Sequence, residues 1–213
     1  KDVTSTTYKD HDVVMKLDDG YSIVEVKDPD DLITEGTLMQ NCLKEEYWPK
    51  RIESGESRIL SLRDSHDKPH ASIEVNEMGI VKQCYGKQND PPIGKYQDLI
   101  ADFFIKADMV DSIQNLPTAK NNPKYLAAMA KSKNTAIREF VATSPYSSVD
   151  TLLQLAKDQN EWVRCAVGAN ENTPPDILAM LAIDEHVGVR SEVVTNKKIP
   201  LDLLKLMAEE DSY

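Results

Sequence analysis

The feature that most constrains this chain is a 26-residue register in its C-terminal half, from about Leu116 to Asp211. Leu126, Leu152, Leu178 and Leu204 stand one period apart, and so do Ala130, Ala156, Ala182 and Ala208. The residue before each alanine is Met129, Leu155, Leu181 or Met207. Arg138, Arg164 and Arg190 form another column, preceded by Ile137, Val163 and Val189, and Asn170 and Asn196 align with Ser144. These columns stay in phase without gaps. Residues 116–213 are therefore expected to be four tandem copies of one supersecondary unit.

Each unit reads as two short helices. In the third, Asn172-Thr173-Pro174-Pro175-Asp176 precedes Leu178, Leu181 and Ala182, an apolar stripe at i, i+3, i+4. Thr173 is the expected N-cap, with proline at the first helical position. The second helix is expected to begin near Asp158 or Asp184, carrying the Val-Arg pair and then Val167 or Val193. Neither helix can bury its stripe alone, but stacked on its neighbours each can, which predicts an all-α solenoid. The arginine column admits a functional reading, as a comb for phosphates. The stronger reading is structural. Arg164 and Arg190 each follow an aspartate by six residues, and a charge-assisted ladder between repeats places one residue type at one position every time. Arg138, Arg164 and Arg190, with Asn170 and Asn196 bonding loop backbone, are expected to join the units.

The pattern Asn-x-x-Thr-Pro, then Leu-x-x-Leu-Ala-x-Asp, then Val-Arg-x-x-Val resembles the leucine-rich repeat variant, a HEAT-like α-solenoid. Residues 144–196 match it best, and the first and last units depart from it as terminal caps do. That family includes a member with an iron–sulfur cluster held by closely spaced cysteines. Cys42, Cys84 and Cys165 are far apart, so no cofactor is carried over.

Residues 1–115 have a different texture, read as an α+β domain with an antiparallel sheet and helices. Val13–Leu17 and Tyr21–Val26 flank Asp18-Asp19-Gly20, a hairpin signal. Asp28-Pro29-Asp30-Asp31 opens a helix, and a second helix is expected over much of 37–54, with Pro49 arguing against an unbroken one. Strands are expected near Arg58–Arg63, His70–Val75 and Ile80–Tyr85, the last two joined by a tight turn ending at Gly79. A final helix from Ile93 to about Gln114 would bury Leu99, Ile100, Phe103, Phe104 and Ala107.

Within this region Glu35-Gly36, Met39-Gln40-Asn41-Cys42 and Tyr47 resemble the Glu-Gly, His-Cys-Val and Tyr signature of the PcfJ-like family of conjugative plasmids and phages. Ile59-x-x-Leu62-Arg63, Pro69 to Val75 and Gln83-Cys84-Tyr85-Gly86-Lys87-Gln88-Asn89 continue the match in order and spacing, over about residues 17–110. Asn41 stands where the family commonly has histidine. The resemblance implies a fold and a candidate surface, and no particular activity.

The candidate ligand-binding residues are Cys42, Arg63, Glu74, Gln83 and Asn89. Brought together, they would form a pocket for a small anionic or nucleotide-like ligand, Arg63 clamping a charge while Gln83 and Asn89 fix orientation. The competing reading makes Glu74 a surface partner of Lys82, Gln83 and Asn89 loop-satisfying residues, and Cys42 a small buried hydrophobe within a helix. No catalytic residue is assigned: no nucleophile elbow, phosphate-cradling glycine loop or paired-histidine zinc motif is present. His66 and His70, four apart at a hairpin bend, do not promise a metal site.

Charge bears on partners. The net charge is −11, and residues 1–115 carry 14 Lys and Arg against 23 Asp and Glu, a balance of −9 that repels a phosphate backbone. Three scattered cysteines make no disulfide framework, which favours a cytoplasmic protein with reduced thiols. No apolar run is long enough to span a membrane. The chain opens on Lys1 rather than Met, as a piece of a longer protein would. A protein-interaction module with a protein partner is the expected function. Small-ligand or enzymatic use of the polar cluster, and nucleic-acid binding in a mobile-element setting, are the alternatives.

Overall fold

The computed structural model describes residues 12–210, and the chain divides into two compact units between Thr118 and Ala119. The first unit is a five-stranded antiparallel sheet in sequential order. Its strands are β1 (Asp12–Lys16), β2 (Ser22–Val26), β3 (Ser57–Arg63), β4 (Pro69–Asn76) and β5 (Val81–Tyr85). Helices α1 (Pro29–Met39) and α2 (Tyr47–Glu53) lie between β2 and β3, and α3 (Gly94–Lys106) follows β5. The expected start at Asp28 is present: its carboxylate accepts from Asp30 N at 2.8 Å, with Pro29 in the first turn.

One face of the sheet packs under α1 and α2 in a cluster of Val26, Leu32, Leu43, Trp48 and Ile59. On the other face Ile23, Leu62, Ala71 and Ile73 have no exposed surface, and α3 supplies a matching stripe of Ile100, Ala101, Phe103 and Phe104. A sheet covered on both faces must bury whatever polar residues its alternation carries, and those residues make the candidate site.

Three expectations for this unit are corrected. A helix does not cover much of 37–54, and the break falls before Pro49, which lies within α2. Gln40 turns left-handed at φ 52, a 3-10 turn spans Cys42–Lys44, and α2 begins only at Tyr47. Cys42 therefore sits in that turn and not in a helix. The last helix ends at Lys106, where Asp108 adopts φ 57, and a separate 3-10 segment covers Val110–Asn115; Ala107 is only half-buried, and Ala101 takes its place in the stripe. Finally, a bulge between Glu74 and Val75 sets Glu74 opposite Gln83 rather than Lys82.

The second unit is a run of helices: α4 (Pro123–Met129), α5 (Thr135–Thr143), α6 (Val149–Leu155), α7 (Glu161–Ala169), α8 (Pro175–Leu181), α9 (Val187–Thr195) and α10 (Leu201–Glu210). The starts of α4, α6, α8 and α10 keep the 26-residue spacing, and so do those of α5, α7 and α9. Each short helix pairs with the longer one after it, and α5, α7 and α9 pack side by side. Leu126, Leu152 and Leu178 are fully buried, as are Val163, Val189 and Val193. The residues after Glu210, which close the last unit of the register, lie outside the described residues.

The caps differ from expectation. Thr173 does not cap α8. Pro174 occupies that position, and the Thr173 hydroxyl, fully buried, donates to Val167 O at 2.6 Å. The second helices begin three residues after Ser132, Asp158 and Asp184, capped by Asn134, Asn160 and His186. Asp158 and Asp184 instead accept from the backbone N–H two residues on, at 2.9 Å each, which frees their outer oxygens for another partner.

Candidate functional site

The polar core of the first unit begins with a glycine. A Cβ on Gly36 would stand 2.2 Å from Lys44 N, so only glycine lets the chain fold back over α1 at that point. That return places Asn41 over the sheet, where its Oδ1 accepts from Leu43 N at 3.1 Å and its Nδ2 donates to Ser72 Oγ at 3.4 Å. The Ser72 hydroxyl donates to Glu35 Oε1 at 3.3 Å, and Arg63 Nη2 donates to Glu35 Oε2 at 2.7 Å. Arg63 Nε also reaches Ser61 Oγ at 3.2 Å, and its Nη1 reaches Asp67 at 3.1 Å. Glu35 and Arg63 have no exposed surface. Burial pushes the Glu35 carboxyl above its ordinary value, while the Arg63 charge and the Ser61 and Ser72 hydroxyls pull against that rise.

Glu74 belongs to a neighbouring group. It is buried, accepts from Ser57 Oγ at 2.7 Å and pairs with Arg51 at 3.0 Å, so it is not a surface partner of Lys82. Arg51 in turn lies 5.2 Å over the Trp48 ring. Cys42, Glu74 and Gln83 line one crevice with Asn41, Ser72 and Tyr85, and Asn89 joins them by accepting from Cys42 N at 3.3 Å. Arg63 does not line it and is linked to it through Glu35, Ser72 and Asn41. The crevice holds about 10 Å³, room for about one water. The five residues singled out from the sequence thus fall in one connected region whose interior is filled.

The space for a ligand lies next door. A cleft of about 390 Å³ is lined by Met39, Lys68, His70, Lys87, Gln88 and Tyr96, among others. His70 Nε2 is 2.9 Å from Asp64 Oδ2, and the imidazole stacks on Tyr96 with centroids 4.6 Å apart. Tyr21 meets both rings edge-on, at 5.8 and 6.1 Å. Burial acts to raise the Asp64 carboxyl, but His70 and the backbone N–H groups of Lys68 and His66 hold it below its ordinary value. The sequence marked His70 only by its spacing from His66. Nothing in it marked Tyr96 or Tyr21, because their meeting depends on how α3 returns to the sheet. Among the described residues no group of three His, Cys, Asp or Glu is arranged to hold a metal.

In the helical unit the arginines lie between repeats. Arg138 makes a two-pronged pair with Asp158, 2.6 and 3.0 Å, and Arg164 makes the same pair with Asp184, 2.7 and 3.0 Å. Each carboxylate comes from the next unit, 20 residues on. The Arg164 and Arg190 Nη1 groups also donate, at 2.8 Å each, to the carbonyls of Asp158 and Asp184, six residues back. Asn170 Nδ2 donates to Ala142 O and Ser144 O, and Asn196 Nδ2 donates to Gly168 O and Asn170 O, so each closes the end of the preceding unit's second helix. Arg138 and Arg164 are nearly buried, as are Asn170 and Asn196.

Residues 3–101 match the model of the PcfJ-like protein family, so this part of the chain is similar to that family, over a span that starts and ends earlier than 17–110. No curated protein and no solved structure matches the chain.

Proposed function

We propose that this is a protein-interaction module: a PcfJ-like domain followed by an α-solenoid of the leucine-rich repeat variant, HEAT-like kind, with the outer face of α5, α7 and α9 as its docking surface. The observation that carries the reading is the division of labour on these helices. Their arginines are turned to the neighbouring repeat and to loop carbonyls, which leaves Glu139, Glu161 and Glu192 as their other charged residues. Exposed aromatic groups stand on and beside these helices. Trp162 is 61% exposed, and Tyr146, at the turn after α5, is 49% exposed. Two adjoining grooves of about 280 and 230 Å³ share Thr143 and Pro145, with Ala166 and Ala169 in one and Phe140 and Tyr146 in the other. Tyr146 lines the second groove, and exposed aromatic residues such as Tyr146 and Trp162 are typical anchors for a partner.

The acidic helices favour a partner segment that is basic and carries an apolar anchor. The same acidity disfavours nucleic acid. A cytoplasmic location and the plasmid or phage setting that the PcfJ resemblance implies are part of this proposal. The test is a photo-crosslinking residue at position 162 in the native host. A crosslinked partner with a Lys- and Arg-rich apolar segment, lost in the triple variant E139Q/E161Q/E192Q, supports the reading. A crosslink indifferent to those three charges, or none at all, rejects it.

A further inference from the structure

The cleft of the first unit is a site of a different kind. Its domain is strongly acidic, yet the charged side chains lining it are Lys68, Lys87 and a single carboxylate, Asp90, beside the imidazole of His70. Neither lysine ammonium makes an ion pair among the described residues. His70 is aligned by its bond to Asp64 and by the Tyr96 ring, which leaves Nδ1 without a partner among the described residues. We propose that this cleft binds a small organic anion of the phosphate monoester class, with Lys68 and Lys87 holding the anionic group and the His70 ring beside it.

Three features support a built site. The volume of about 390 Å³ falls in the range of small-molecule pockets, about 300–1,000 Å³. The wall is held in an unusual conformation: Gln40, Gln88 and Asn89 are all left-handed without being glycine, with φ of 52, 61 and 62. Such backbone persists only where its surroundings over-determine it, and it gathers at ligand sites. Here the determinants are visible. Gln88 Nε2 donates to Gln40 Oε1 at 3.2 Å, Asn89 holds Cys42 N, Gly86 N donates to Asp90 O at 2.7 Å, and Gln97 Nε2 donates to Pro92 O at 2.5 Å. The loop is set before any ligand arrives, so little ordering cost falls on binding. Third, two lysines against one carboxylate among the lining residues, within an otherwise acidic domain, favour an anion there. The filled network of Glu35, Arg63, Ser72 and Asn41 then has a role: it anchors the segment that ends in Gln40 and Cys42, against which the cleft loop is pinned.

The test uses the full chain, with phenyl phosphate and inorganic phosphate as probes, followed by amide and imidazole chemical shifts. Saturable shifts are expected at His70 and across residues 86–90. The double variant Lys68→Ala/Lys87→Ala should weaken binding about tenfold or more, because both charge-assisted contacts go. Lys82→Ala/Lys106→Ala removes the same charge from exposed sites elsewhere and should change affinity less than about twofold. All four lysines are exposed, so these variants leave the core intact. Absence of saturable shifts with either probe, shifts confined to other residues, or equal weakening in the two double variants would overturn the assignment.

Discussion

Glu35 Oε2 lies 2.7 Å from Arg63 Nη2, and neither side chain is exposed. Two charges so placed have left water entirely, and their attraction offsets that loss only while both are present. Arg63→Met strands the carboxylate and should lower the unfolding free energy by about 3–5 kcal/mol, measured by urea denaturation at neutral pH. A loss below about 1 kcal/mol would mean that the pair is not the organising contact it is here taken to be.

The same pair makes a pH prediction. Burial raises the Glu35 carboxyl above 4.5, so the folded chain binds that proton more tightly than the unfolded chain does. Its contribution to stability is greatest below about pH 4.5 and declines as pH rises through the folded value. Arg63→Met removes the opposing charge and should steepen that decline. Unfolding free energies measured from pH 4.5 upward, compared between wild type and variant, give the slope. Parallel curves would contradict the assignment.

The repeat ladder titrates in the opposite sense. The Arg164 bond comes first among the causes that hold the Asp184 carboxyl below 3.8. For Asp158, burial acts upward but is outweighed by Arg138 and by Asn160 N–H. The stability these groups contribute is fully present above about pH 4 and is lost as pH falls through their folded values. Asp184→Asn should therefore destabilise the helical unit at pH 7, by about 3 kcal/mol for breaking a largely buried pair, and have a smaller effect near pH 3, where the contribution is already declining. Helical circular dichroism during urea unfolding at the two pH values reads this out.

Gly36 and Gly55 form a contrast within one domain. Gly36→Ala drives a Cβ into the backbone at Lys44, where no flexible side chain can yield, and should cost about 3 kcal/mol or more. Gly55 has φ +78 with open space around it, so Gly55→Ala should cost only about 1 kcal/mol of backbone strain. Thermal denaturation of the two variants ranks them. The reverse order would refute the close approach of the Cys42–Lys44 turn.

Thiol reactivity separates the cysteines. Burial pushes the Cys84 thiol up to about 12, so at pH 8 its thiolate fraction is about one in ten thousand. Cys84→Ser should leave the native chain's modification rate by a thiol reagent unchanged, and Cys84 should react only on unfolding. All three cysteines are partly exposed, so it is the thiolate fraction and not access that sets Cys84 apart. Rapid native modification at Cys84, located by peptide mapping, would show that strand β5 opens readily.

How far the sequence reaches differs between the units. In the helical unit, the 26-residue register is local information: each helix pair takes its length, stripe and turn from its own residues, and the structure keeps the same period. The register did not contain the partner of each arginine. Arg164 stands six residues after Asp158 in sequence, but it takes that residue's carbonyl and pairs with the carboxylate of Asp184 in the next repeat. Likewise Thr173 reads as a cap from its neighbours, yet packing turns its hydroxyl to Val167 O.

In the first unit, alternation and turn residues were enough to show five strands with helices between and after them, and the antiparallel sheet has them. They could not show the bulge at Glu74, which depends on β4 and β5 pairing and moves its neighbour from Lys82 to Gln83. Nor could they show that both sheet faces are covered, which makes Arg63 a buried partner of Glu35 rather than an exposed clamp. Cys42, Arg63, Glu74, Gln83 and Asn89 do come near one another, but the space among them is filled, and the open cleft is beside them around His70 and Tyr96. The sequence by itself determined the periods, the strand and helix order and the division into two kinds of structure, because these rest on interactions between residues close in the chain. Tertiary structure alone decided which polar groups are buried together and where space remains, because desolvation and packing depend on what covers each residue from far along the chain.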